Sequence, residues 1–308
     1  MTLKITKSSE PLLIEHVNVC IYSGPGLGKT TLAYTADDPL LLDTDHGSHR
    51  ASNRKDTVKV SSWSDIADPV AADLAPYKTI IVDTAGRTLD YLTADIIADN
   101  PKLGRGGALT LQGFGALKSR FAAWLKMLNT FGKDVVLIAH MDEQRSGDDI
   151  VERLDVQGGS KAEIYKSVDA MGRIFIRGKD RIIDFSPREN AFGKNPCGFD
   201  PISFTLNDHD LLGVTIRLMK ERINHQSAEQ KEAQSLLTEW AETIAGLKTV
   251  ADFNSLLAEL RKAPKSIQAI AAKRAKDLDF IYNKTSNLYE IKEGKIAAHV
   301  PTTEAIFG

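Results

Sequence analysis

Residues 23–31 read Ser-Gly-Pro-Gly-Leu-Gly-Lys-Thr-Thr, between the apolar run His16-Val-Asn-Val-Cys-Ile-Tyr22 and the helix-like Thr30-Thr-Leu-Ala-Tyr-Thr35. A strand, a glycine-rich turn and a helix in that order are the setting of a P-loop. The glycines let successive backbone N–H groups turn inward around a phosphate, and the new helix points its positive end at the same place. Ser23, Gly24, Pro25, Gly26, Leu27, Gly28, Lys29, Thr30 and Thr31 are the expected nucleotide-binding residues. Lys29 reaches the β- and γ-phosphates, and the Thr30 hydroxyl ligates Mg²⁺. Ser23 stands where the usual pattern has Gly, and it is small enough to be accommodated. A glycine-rich loop that merely turns a corner is the bland alternative, and Gly-Lys-Thr in this setting weighs against it. ATP and Mg²⁺ are the expected ligands.

Outward from the P-loop, further apolar runs alternate with helical patterns as far as about residue 140. They are Pro39-Leu-Leu-Leu-Asp43, Lys78-Thr-Ile-Ile-Val-Asp83 and Asp134-Val-Val-Leu-Ile-Ala139. Continuous apolar runs of this kind indicate strands buried on both faces of a parallel sheet. Leu111, Phe114, Leu117, Phe121, Trp124 and Leu128 recur at three- and four-residue steps, one face of a crossover helix. Gly172–Arg177, Arg181–Phe185 and Gly213–Arg217 read as further strands completing an α/β core. Composition changes near 224–228, and helix patterns follow. The expected division is a core over 1–224, a small helical domain with a short hairpin over 228–292, and a flexible tail over 293–308.

Several polar residues sit where such a core places chemistry. Asp83 ends an apolar run, where a carboxylate holds Mg²⁺ through its water shell; the bland reading is a strand-ending Asp before a turn. Asp45, with Asp43 behind it, can orient or deprotonate the attacking water, or the pair can simply form the turn in Asp-Thr-Asp-His-Gly. His140 ends the 134–139 strand, either as a γ-phosphate sensor or as a histidine meeting solvent. Arg188 is placed to act as a finger on a neighbouring subunit's γ-phosphate, or to be a solvated hairpin tip.

Two long loops, 98–109 and 141–161, are expected to be structureless and functional, or mobile surface. Lys102, Arg105, Arg145 and Lys161 give them phosphate-binding capacity for DNA, diluted in the second by Asp142, Glu143, Asp148 and Asp149. In the C-terminal part, Arg261, Lys262, Lys265, Lys273, Arg274 and Lys276 concentrate positive charge, most simply as a solvated helix face.

The chain has 308 residues and a net charge of −2, so nucleic-acid contact has to come from local patches. Cys20 and Cys197 stand in no metal-ligand spacing, Cys20 reading as a core residue in a reducing interior. No apolar run approaches membrane-spanning length and residues 1–7 have no signal-peptide core, which reads as cytoplasmic without membrane association.

The order of the pieces resembles a RecA-like core over about residues 12–220: P-loop, Asp-Thr-Asp, Ile-Ile-Val-Asp-Thr, a glycine-rich basic loop, a crossover helix, a strand ending in His, then a loop with Gly158-Gly159. It looks most like the small phage-encoded RecA-core ATPases that anneal single strands in recombination. The resemblance implies that Asp45 takes the place of the catalytic carboxylate, typically Glu and so one methylene longer. It implies DNA-binding loops at roughly 98–112 and 142–160, a polar sensor at His140 and a basic finger at Arg188 completing the site in an oligomer, ring or filament. The implied partners are single-stranded DNA and a single-strand-binding protein. The alternatives are a hexameric helicase-like or other DNA-translocating motor, and a P-loop switch acting on a protein partner.

Overall fold

The computed structural model describes residues 13–146 and 149–291. The strands are β1 (Asn18–Ser23), β2 (Pro39–Asp43), β3 (Thr57–Lys59), β4 (Thr79–Asp83), β5 (Gly104–Arg105), β6 (Ala108–Leu109), β7 (Asp134–Ser146), β8 (Asp149–Leu154), β9 (Ala170–Arg177), β10 (Asp180–Asp184), β11 (Ile202–Phe204), β12 (Phe280–Asn283) and β13 (Leu288–Ile291). The helices are α1 (Lys29–Ala33), α2 (Ala71–Leu74), α3 (Ala85–Asp99), α4 (Leu111–Thr130), α5 (Ser160–Ser167), α6 (Leu211–Gly246), α7 (Val250–Leu260) and α8 (Lys265–Asp277).

The main sheet runs β11-β10-β9-β1-β7-β4-β2-β3, with β8 hairpinned onto β7. From β3 to β9 the neighbours are parallel, and β10 and β11 are antiparallel. This is the expected α/β core with a mainly parallel sheet. The apolar runs are buried on both faces because alternate residues feed two cores. Cys20, Tyr22, Ile80, Val82, Val135 and Leu137 join α3 and α4 on one side. Val19, Ile21, Ile81, Val136 and Ile138 join Leu32 and Leu212 on the other. Each such side chain contributes about 1.5–3 kcal/mol on burial.

On α4, Leu117, Phe121, Trp124 and Leu128 are buried as the periodicity predicts, and the Trp124 indole N–H donates to the Ile66 carbonyl at 2.8 Å. The first turn departs from the pattern: Leu111 is 90% exposed and Phe114 is exposed.

Two expectations are corrected. Residues 213–217 are not a strand but part of α6, where Leu212, Ile216 and Met219 pack on one helical face despite Val214, Thr215 and Ile216 in the local sequence. Tertiary packing overrides β-propensity there. The compositional change near 224–228 falls within the continuous helix α6, at the point where the chain divides into two compact units. Nor are the long loops structureless. The first holds β5 and β6 joined by Gly106 and Gly107 at φ 60° and 83°, left-handed values that a two-residue hairpin turn needs. The second is the β7–β8 hairpin followed by α5, opening at Gly159 as the sequence suggests.

The chain divides into one unit spanning Leu12–Gln226 and another from Ser227 onward. In the second, Ile244, Leu260, Ile267 and Ala271 form one small core, and Leu247, Phe253 and Ala275 another that packs Phe280 and Tyr289 of the β12–β13 hairpin. Thr249 and Asp252 form a capping box at the start of α7. Two of the cations noted above are structural: Arg261 donates to Tyr282 Oη and the Asn287 carbonyl, and Arg274 to the carbonyls of Ala245 and Leu247. The expected tail, 293–308, lies outside the described residues, as do Asp148 and residues 1–12. Among the described residues, no helix is long and apolar enough to cross a membrane.

Candidate nucleotide site

At the carboxyl end of β1 the chain enters the P-loop with Gly26 at φ 75° and Gly28 at φ 89°. A side chain at Gly24 or Gly26 would meet nothing within 4 Å, so the loop borders open space. Helix α1 is only five residues long, Lys29–Ala33, shorter than the sequence suggested. Its dipole is correspondingly small, so the loop amides rather than a helix field are left to hold phosphate.

The cleft above the loop has a volume of about 430 Å³ and gathers Lys29, Thr30, Asp45, Arg50, Asp83 and His140. Lys29 is 6% exposed, and its Nζ donates to the Gly24 carbonyl at 2.9 Å, the Ser23 carbonyl at 3.2 Å and Ser23 Oγ at 3.3 Å. His140 Nδ1 lies 3.4 Å from the same nitrogen. Burial lowers the Lys29 pKa to about 8, against the pull of Asp83 and Asp45. Burial also lowers that of His140, with Lys29 adding to the effect.

Thr30 Oγ1 donates to Asp83 Oδ2 at 2.7 Å. Strand β7 lies between β1 and β4, so Asp83 reaches the P-loop from two strands away rather than from its neighbour. Burial pushes the Asp83 carboxyl up to about 6; the Thr30 hydrogen bond opposes the shift, and Asp43 and Asp45 add to it. A hydroxyl and a carboxylate already facing one another, with phosphate oxygens and water to complete six ligands, suit Mg²⁺. Lysine turned onto its own loop carbonyls and two left-handed glycines suit a triphosphate. The residues present therefore fit ATP–Mg²⁺.

Asp43 and Asp45 separate in role. Asp43 is buried and accepts from the N–H groups of Gly47 at 3.0 Å and Ser48 at 3.2 Å, which makes it the turn-former. Asp45 lines the cleft between two arginines, with Arg50 Nη2 and Arg87 Nε each 3.5 Å away. Sequence reading missed Arg50 and Arg87, along with a second cavity of about 370 Å³ lined by Arg87, Asp90, Asp155 and Gln157. His140 borders both cavities. No local motif marks these residues; the fold brings them to the strand ends.

The remaining candidates lie elsewhere on the molecule. Arg188 forms an ion pair with Asp184 of its own chain at 2.5 Å. Lys102 lies in a 3₁₀ turn, Arg105 at the β5–β6 turn, Arg145 on β7 near the β7–β8 turn and Lys161 on α5. All but Lys161 are exposed.

A family model described as an AAA domain matches residues 15–197. No curated protein matches the chain. Among solved structures, a KaiC-like protein from the hyperthermophilic archaeon Pyrococcus horikoshii OT3 is similar at 12% identity and a TM-score of 0.34, covering 59% of this chain and 87% of its own.

Proposed function

The chain belongs to the AAA domain family, and from that premise we propose an ATPase whose nucleotide state governs its hold on single-stranded DNA, in strand annealing or homologous recombination in a phage or prophage setting. ATP–Mg²⁺ supplies the bond whose hydrolysis resets the cycle. Lys29 and the loop amides hold the phosphates, Thr30 and Asp83 hold the metal, and Asp45 orients the attacking water once a γ-phosphate has drawn Arg50 and Arg87 away from it.

One observation carries the coupling. Strand β7 places His140 beside the Lys29 amine and runs on to Arg145 at the β7–β8 turn. Five residues of strand span about 17 Å. A shift at His140 on phosphate binding is thus passed along one strand to the hairpin that carries Arg145. Arg105 on the β5–β6 hairpin, Lys102 and Lys161 supply further phosphate contacts. We assign Arg188 to a neighbouring subunit's site in a homo-oligomer, where it would have to leave Asp184.

The test is binding of a fluorescent single-stranded oligonucleotide with and without ATP–Mg²⁺, beside Lys29→Ala. The expected result is ATP-strengthened binding that the variant loses; absence of binding at low salt in either state refutes the DNA reading. A protein-partner switch is the second reading, favoured by Leu111 at 90% exposure beside the β5–β6 hairpin. Wild-type binding of DNA that Arg105→Ala and Arg145→Ala leave unchanged would support it.

A further inference from the structure

The P-loop strand has two flanks. On the β7 and β4 side stand His140, Asp83 and Asp45, the groups suited to the γ-phosphate end. A triphosphate laid across the loop with that end seated there points its nucleoside toward the other flank, where β9, β10 and β11 follow.

Two side chains wait on that flank. A Cβ added to Gly28 would meet Leu206 Cδ2 at 2.6 Å and Arg181 Nε at 3.8 Å, so both stand against the loop. Leu206 lines the same cleft as Lys29 and Thr30, is 36% exposed, and places an apolar surface in a charged cavity. It follows β11 in a turn pinned by Asp208: the Thr205 N–H donates to Asp208 Oδ2 at 2.8 Å and the Thr205 hydroxyl to Oδ1 at 3.2 Å. Arg181, on β10, has a buried Nε with no hydrogen-bond partner. Buried donors are normally satisfied, and an orphan of this kind points to a partner arriving from outside the chain. Gly28, at φ 89°, provides the close approach on which all three depend.

We propose that Leu206 and Arg181 seat the nucleoside end of the triphosphate. Leu206 lies against the flat face of the base or the ribose, and Arg181 donates to the oxygens of the ribose. This rests on the ATP-binding reading above and adds to it the place where a nucleotide is told from bare polyphosphate.

The test compares binding of ATP–Mg²⁺ and inorganic tripolyphosphate–Mg²⁺ by titration calorimetry. Wild type is expected to prefer ATP. Leu206→Ala and Arg181→Ala should each reduce that preference about tenfold while tripolyphosphate affinity holds. Leu206→Met, which keeps the apolar surface, should retain the preference and so separates lost contact from a disturbed loop. If wild type prefers ATP and both alanine variants keep the preference, this inference falls and the ATP reading stands. If wild type binds neither ligand, the ATP reading falls and takes the inference with it.

Discussion

In the P-loop cleft, Lys29 is 6% exposed and donates to three oxygens of its own loop, while Thr30 and Asp83 are joined at 2.7 Å. On the two hairpins, Arg105 and Arg145 are exposed and have no ion-pair partner among the described residues. The cleft thus holds its charges in fixed geometry against low-dielectric surroundings, where displacing one group is felt by all the others. The hairpin cations sit in water, where each adds a small, salt-screened increment. Loss of a cleft residue should act all-or-none, and loss of a hairpin residue by degrees.

The largest expected effect is at Asp45. If it orients the attacking water, Asp45→Asn keeps the shape and removes the base, lowering kcat by about 10²–10⁴-fold. The dissociation constant for ATP should hardly move. A steady-state assay with separate measurement of nucleotide affinity checks both, and a variant of undiminished kcat would return Asp45 to the turn-forming role that Asp43 fills. Lys29→Ala comes next. Truncating one partner of a buried charged contact costs about 2–5 kcal/mol, on the order of 10²- to 10³-fold in Kd for ATP. Equilibrium titration with ATP–Mg²⁺ measures it. A loss of only a few fold would mean that the loop amides hold the phosphates almost unaided.

On the hairpins the expected changes are graded. Arg145→Ala should weaken oligonucleotide binding a few fold and shallow the log Kd against log[salt] slope by about 0.7, one single-strand phosphate contact. Arg105→Ala should do the same, and the double variant should add, because separate surface sites rarely couple. Fluorescence anisotropy over a salt series reads all three. Collapse of binding in either single variant would make the hairpins as cooperative as the cleft and undo the contrast.

Legibility in the sequence follows the same divide. The P-loop could be read because its geometry is written in nine adjacent residues, with Gly26 and Gly28 in the left-handed conformations their sequence allows. Asp83 could be read because a buried parallel strand leaves a continuous apolar run with its polar end exposed to notice. Arg87, Arg181 and Leu206 could not, since Arg87 meets Asp45, and Arg181 and Leu206 stand against Gly28, through tertiary contacts that leave no local pattern. Strand β11 is three residues long, and β8 runs Asp-Ile-Val-Glu-Arg-Leu, so neither offers a run long enough to separate from loop. Val214-Thr-Ile216 reads as a strand on propensity alone. Only the packing of Leu212, Ile216 and Met219 against the core, and the Leu212 N–H donating to Thr35 Oγ1 at 2.8 Å, make it helix.

Arg188 tests whether the contrast extends beyond these two regions, because the residue proposed to act on a neighbouring subunit's nucleotide is paired with Asp184 of its own chain. The Asp184 side chain is 2% exposed, while that of Arg188 is 46% exposed. Burial alone would push the Asp184 carboxyl up, but the bond from Arg188 and those from Ser186 together hold it below its usual value. A carboxyl with a depressed folded-state pKa contributes stability that is present above its unfolded pKa, near 4, and lost as pH falls through the folded value. Arg188→Ala strands the buried carboxylate and should cost about 1–3 kcal/mol at pH 7. Half of the pair is solvated, so the lower end is expected. The difference between variant and wild type should shrink as pH drops below about 4, where protonation removes the charge that Arg188 neutralises. Urea unfolding at pH 7 and at low pH measures this directly. If stability is unchanged and ATP hydrolysis instead falls steeply, with the loss rescued by mixing in subunits that carry Arg188 but lack Lys29, then the pair with Asp184 is a resting contact. Arg188 would then belong with the cleft of a neighbouring subunit.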